Sequence, residues 1–148
     1  MLPGPRTRFQ LGDLAATGLD DASVDGVWCG DAFFFAPDLI EALGEVRRVL
    51  RAGCRLVMTV CVSLDDQPSA HPRDWRPLLR HVGLRSLRQE ETPRDRENAT
   101  ATYAAWIAHE VELRAELPAR AVDELIDEAR SVGARLARMR RVLVVAER

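Results

Sequence analysis

Apolar and polar positions divide the chain into short buried runs and longer helical stripes. Gly26, Val27, Trp28 and Cys29 form a short apolar run after the polar turn 19–23, which reads as a strand. From Leu39 the period changes. Leu39, Ile40, Leu43, Val46, Val49 and Leu50 share one face of a helix. Asp38 stands where an N-cap is needed, with Glu41 three residues on as its capping-box partner. Gly53 supplies a left-handed stop. Residues 55–62 are nearly all apolar and partly β-branched, the composition of a parallel strand buried on both faces. Strand, capped helix and strand form a βαβ crossover, which places a ligand site at the carboxyl ends of its strands.

On the amino-terminal side, Phe9, Gln10 and Leu11 read as the end of a short strand, and Gly12-Asp13-Leu14 as a turn. Beyond the crossover, 64–72 is a polar loop. Asp74 caps a helix over 75–82, where Pro77 is tolerated in the first turn, and Gly83 ends it. Residues 84–91 are a weaker strand and 92–98 a charged link. A helix over 99–117 carries Tyr103, Trp106, Ile107, Val111 and Leu113 near one face and is broken by Pro118. A second helix over 119–137 turns Val122, Leu125, Ile126, Ala129 and Val132 inward. Residues 141–146 make the final strand, centred on Leu143, Val144 and Val145. The order β, β, α, β, α, β, two helices, β predicts an α/β fold with a mostly parallel sheet. The closing strand is expected as an antiparallel edge strand. The reading is one domain over 1–148, with 92–138 as a helical, lid-like insertion.

A single domain suits the 148 residues, enough for one real core. The net charge of −2 excludes a basic face for nucleic acid. Lysine is absent, so all 21 basic residues are arginine, a bias that fits codon usage better than phosphate binding. Cys29, Cys54 and Cys61 form no C-x-x-C pair, so neither a disulfide framework nor a metal site is expected, and a reducing cytoplasm is the natural compartment. Residues 1–6 lack the apolar core of a signal peptide, and no apolar run reaches membrane-spanning length. The partner expected is therefore a small molecule, not a membrane or a nucleic acid.

Three separate pieces then carry a family resemblance: Gly12-Asp13-Leu14; the run from Asp20 through Ser23, Val24 and Asp25 to Val27; and Glu45-Val46-Arg47-Arg48-Val49-Leu50-Arg51-Ala52-Gly53-Cys54-Arg55-Leu56. In this order and spacing they resemble a class I S-adenosyl-L-methionine (SAM)-dependent methyltransferase, whose pattern runs G-D-x, an acidic turn, S-F-D-x-V and E-x-x-R-V-L-K-P-G-G-x-L. The resemblance covers about residues 9–62 and departs at Ala52 and Cys54, where the pattern prefers proline and glycine. It implies a Rossmann-like methyltransferase fold, SAM as cofactor and methyl transfer to a small-molecule acceptor. Asp13 and the Leu14 amide would lie beside the adenine. Cys29, Gly30 and Asp31 would face the methionine end and the substrate. The family opens with a strand, a glycine-rich loop and a helix, where only glycine lets the backbone approach the cofactor so closely. No G-x-G occurs in this sequence. The expectation is thus a partial methyltransferase fold, the carboxyl-terminal portion of a longer or oligomer-completed enzyme.

Each candidate residue has a plainer alternative. Asp13 reads as an adenine contact or as a turn aspartate bonding the next amides. Asp31 reads as a substrate-side group at a strand end or as a solvated loop carboxylate. Phe34, within Phe33-Phe34-Phe35, lines an acceptor pocket or packs the sheet. Tyr103 and Trp106 belong to a lid over the substrate or to a helix core. His71, in the loop after the second buried strand, is the candidate catalytic base, useful for a hydroxyl or phenol acceptor, or a solvent-facing histidine. The alternative function is a cofactor-free, methyltransferase-derived binding or dimerisation module. An uncovered sheet edge near Phe9 would favour a homodimer or partner pairing.

Overall fold

The computed structural model describes residues 7–64, 72–133 and 135–148. The elements run β1 (Val24–Gly30), α1 (Leu39–Val49), β2 (Leu50–Ser63), α2 (Arg76–His81), β3 (Arg85–Glu91), α3 (Asp95–Ala108), α4 (Glu110–Glu116), α5 (Ala119–Gly133) and β4 (Met139–Glu147), with short 3-10 turns at Ala32–Phe35 and Leu136–Arg138. The sheet order is β1-β2-β4-β3. β1 and β2 are parallel, and β4 is antiparallel to both of its neighbours. The carboxyl ends of β1, β2 and β3 therefore share one border of the sheet with the start of β4.

The βαβ crossover forms as the apolar spacing predicts. The Asp38 carboxylate caps α1, accepting from the amides of Ile40 at 2.7 Å and Glu41 at 3.0 Å. Ala42, Leu43, Val46 and Val49 turn inward. Ala42, Leu43 and Val46 meet Leu56, Met58, Val60 and Val62 of β2, Val142, Val144 and Ala146 of β4, and Trp75, Leu79 and Leu84 around α2 in one core.

Several expectations change. The closing strand is antiparallel but lies inside the sheet, not at its edge. In the interior both rows of its backbone groups are paired, with β2 and with β3, where an edge position would leave one row to water. β2 is not buried on both faces: α1 and α2 cover one face, while Val57, Thr59, Cys61 and Ser63 on the other are half-buried. Gly53 does not stop α1, which already ends at Val49. It sits at φ 75 within the irregular start of β2, where the register jumps from Val24↔Leu50 to Gly26↔Arg55. That bulge needs the left-handed conformation glycine tolerates. Phe9 to Leu11 form no strand, and Phe9 and Leu11 are fully exposed. The edge strands of the sheet are instead β1 and β3, and Trp28 on β1 is 76% exposed. The long helix over 99–117 divides at His109, whose φ of −106 leaves the helical range. The stripe it was read from is not continuous, since Val111 and Ile107 remain exposed. The helix over 119–137 ends at Gly133.

The amino-terminal segment is held by one ionic cluster. Glu45, 8% exposed on α1, accepts from the Thr17 amide at 2.9 Å and the Thr17 hydroxyl at 2.6 Å. Arg48 donates to Glu45 at 2.7 and 2.8 Å, to Asp21 at 2.5 Å and to the Leu19 carbonyl at 2.6 Å. The guanidinium first, then the Thr17 donors, hold the Glu45 carboxyl down at about 2 against the cost of its burial.

Candidate functional site

A cavity of about 600 Å³ opens at the carboxyl border of β1 and β2. Its sheet side carries Asp31, Val60, Cys61 and Arg141, the 3-10 turn after β1 adds Phe34 and Phe35, and the helices add Tyr103 and Glu128. This is where a βαβ crossover presents a ligand site. The mixture of apolar walls with a few convergent polar groups suits a small organic ligand.

Local backbone chemistry explains the turn after β1. Asp31 takes a left-handed φ of 53, a conformation that aspartate enters more readily than most residues. Its amide bonds to the Thr59 carbonyl at 2.9 Å. Phe33, the one fully buried member of the phenylalanine triplet, packs on Trp75 with centroids 6.4 Å apart. That leaves Phe34 and Phe35 at the cavity, in an edge-on pair at 5.8 Å. The triplet is thus divided between core and pocket.

The cavity's polar groups are organised in pairs. Arg141 bonds Asp31 at 3.0 Å and Asp95 at 2.5 Å. The Tyr103 hydroxyl donates to Glu128 at 3.1 Å, joining α3 to α5. Burial, then that hydrogen bond, pushes the Tyr103 phenol up to about 12. Burial also pushes the Cys61 thiol up, while the Arg141 guanidinium beside it acts in the opposite direction.

Of the residues singled out from sequence, Asp31, Phe34 and Tyr103 meet at this cavity. Trp106 stands behind them, edge-on to Tyr103 at 5.3 Å, and does not line it. Cys29 is buried in the core, where burial raises its thiol against the amides of Ala32 and Phe33; only its backbone can face a ligand. Beside Gly30 the Trp28 ring lies so close that an added Cβ would stand 2.7 Å from it. Asp13 caps its own turn, accepting from the Ala15 amide at 2.8 Å, and Leu14 packs on the core's margin. Neither lines the cavity. His71 lies outside the described residues. Among the described residues no cluster of His, Cys, Asp and Glu could hold a metal ion, and no helix is long and apolar enough to cross a membrane.

Arg141, Glu128 and Cys61 were not anticipated. Cys61 had a usable signal, its place at the end of a strand. Arg141 had none, because it is 110 positions from Asp31 and reaches it only through the interior placement of β4.

Residues 2–58 match a family described as "Methyltransferase domain". Over 68 residues the chain is 34% identical to the sarcosine/dimethylglycine N-methyltransferase of Halorhodospira halochloris, an alignment spanning 46% of this chain and 23% of that protein. Among solved structures, the cyclase SpnF superposes with a TM-score of 0.73 at 19% identity, covering 95% of this chain and 55% of that one. A Haemonchus contortus phosphoethanolamine N-methyltransferase, solved with phosphomonomethylethanolamine and S-adenosylhomocysteine, gives a TM-score of 0.73 at 16% identity over 92% of this chain and 36% of its own. The chain thus spans about half the length, or less, of these relatives. Over residues 2–58 the chain is thus similar in sequence to methyltransferase domains, and the solved structures share its fold.

Proposed function

We propose that this chain supplies the methionine-side and acceptor-side part of a site for SAM-dependent methyl transfer to a small molecule. The observation that carries the reading is the cavity at the carboxyl border of β1 and β2, with Asp31, Phe34 and Tyr103 around it. SAM, when bound, supplies a sulfonium methyl group for in-line displacement. The contribution asked of these residues is to hold the acceptor in line and to exclude water. In this reading, backbone at Cys29 and Gly30 faces the methionine end, and Asp13 with the Leu14 amide lies toward the adenine. Asp31, Phe34 and Tyr103 contact the acceptor, with Trp106 supporting Tyr103, and His71 is the base if the acceptor is a hydroxyl or phenol. The segment 92–138 acts as the lid. The residues fit the cofactor in part: the end of β1 offers backbone and one carboxylate, a set suited to the charged ends of a methionine moiety. The glycine-rich side of the site would come from a longer polypeptide or from a second chain. SAM titrated calorimetrically into the 148-residue chain is expected to bind with a Kd on the order of 10–100 μM, with S-adenosylhomocysteine competing. Absence of binding at millimolar SAM would overturn the reading for this chain.

A second reading is favoured by one feature of the fold. The open edge strand β1 carries Trp28 76% exposed, and a neighbour of the same fold is named a cyclase, so fold alone does not fix chemistry. In this reading the chain is a cofactor-free binding or dimerisation module that pairs through β1. Light scattering then gives a concentration-dependent dimer, weakened by Trp28→Glu. A monomer at high concentration would sink this second reading.

A further inference from the structure

One side chain joins the two sides of the cavity. Arg141 lies near the start of β4. Its Nε is 3.0 Å from a carboxylate oxygen of Asp31, directly after β1, and its Nη1 is 2.5 Å from a carboxylate oxygen of Asp95, the first residue of α3. Its carbonyl also accepts from the Thr92 amide at 2.9 Å. A strand end, an interior strand and the entry to the helical segment are thereby tied at one point. The pair with Asp95 is not the loose surface kind that contributes little: the Arg141 side chain is 32% exposed and that of Asp95 18%, while Asp31 is more open at 40%. Tyr103 and Glu128 then carry the connection from α3 to α5, and both of these residues line the cavity.

Among the described residues, the helical segment packs mainly on itself and touches the sheet chiefly where α3 meets β4. α3 and α4 contain no fully buried residue. α5 buries Val122, Ile126 and Ala129, but these stand outside the cluster that forms the main core. The polar joint at Arg141 therefore stands where the helices meet the sheet.

We propose that Arg141 and Asp95 are positioning residues of the acceptor pocket: through one guanidinium they fix the Asp31 carboxylate at the cavity and seat the helices α3 to α5 as its outer wall. The proposal rests on the reading that this cavity receives the acceptor. An arriving acceptor meets a carboxylate already oriented and a wall already in register, so less ordering remains to be done on binding.

Cys61 gives a probe that needs neither cofactor nor acceptor. It lines the cavity together with the charged or titratable Asp31, Tyr103, Glu128, Arg135, Arg138 and Arg141, and Arg141, Asp31, Asp95 and Tyr103 act on it electrostatically. Its alkylation by iodoacetamide, followed by peptide mass spectrometry as a function of pH, separates two effects. The midpoint reports charge beside the thiol, and the plateau reports access to it. In Arg141→Met and in Asp95→Asn the plateau rate is expected to rise by about tenfold as the wall loosens. Arg141→Lys should restore part of the closure. The midpoint should rise in Arg141→Met alone, where the neighbouring cation is lost. Amide exchange across α3 should quicken in the first two variants while β2 stays protected. If Arg141→Met loses β2 protection, Asp95→Asn decides the matter. Plateau and α3 exchange unchanged in Asp95→Asn, with the sheet intact, would overturn the proposal. Because no SAM is present, that outcome is distinct from a failed SAM titration.

Discussion

Trp75→Ala is expected to destabilise the domain by about 3–5 kcal/mol, the cost of emptying a large buried aromatic site. Trp75 is fully buried. It stands between α2 and the turn after β1, with its amide bonded to the Gln89 side chain at 3.0 Å and its ring against Phe33. A loss of that size is a large fraction of the 5–15 kcal/mol typical of a domain. Urea denaturation followed by circular dichroism should show the midpoint fall with an unchanged slope. Trp75→Phe should cost clearly less, because most of the volume is kept. The effect also reaches the site. Phe33 anchors the turn that presents Asp31, Phe34 and Phe35, so Trp75→Ala should loosen the cavity as well as the core. If Trp75→Ala and Trp75→Phe unfold at the parent's urea concentration, the packing argument is wrong.

Glu45→Gln is the second large effect, about 1–3 kcal/mol, as expected when the buried, hydrogen-bonded carboxylate of a partly exposed charge pair loses its charge. The glutamine oxygen can still accept from Thr17, but Arg48 loses its carboxylate. The consequence is pH-dependent, and its direction follows from the pKa. The folded-state carboxyl lies at about 2, below its ordinary 4.5. The folded state therefore binds the proton less readily than the unfolded chain. Its contribution is fully present above pH 4.5 and is lost as pH falls through about 2. Parent and Glu45→Gln should differ most near neutral pH and converge at the acid end of that window. A constant difference between the two across pH 2 to 5 would contradict this account.

The crossover was legible because its signals are local. Asp38, the 3.6-residue apolar stripe of α1 and the apolar run of β2 each act within a few positions, and the structure keeps them, though Ile40 of the stripe is exposed and Leu50 opens β2. The methyltransferase pattern was legible for the same reason, since Glu45 and Arg48 share one helical turn with the core positions Leu43 and Val46. What escaped the sequence was set by tertiary placement. Leu143, Val144 and Val145 identify a strand but not which strands flank it, so its interior position and the partners of Arg141 were invisible. Tyr103 and Trp106 suggested a continuous helical face. In the fold they pair with each other, Tyr103 also bonds Glu128 on α5, and α3 ends soon after them. Of the candidate site, the strand-end residue Asp31 and the aromatic Phe34 could be found from position alone. The cation that holds Asp31 in place could not.

The interior position of β4 also sets an order of events during synthesis. β1, α1 and β2 are contiguous, and their crossover can assemble as soon as Ser63 has left the ribosome. β3 has no such freedom: among the described residues it meets the sheet only through β4, which comes after it in the chain. Contacts between positions so far apart are slow to close. The nascent chain is thus expected to have a formed crossover and an unanchored middle segment, exposed to proteases and chaperones until Met139 to Glu147 emerge and stitch β3 to β2.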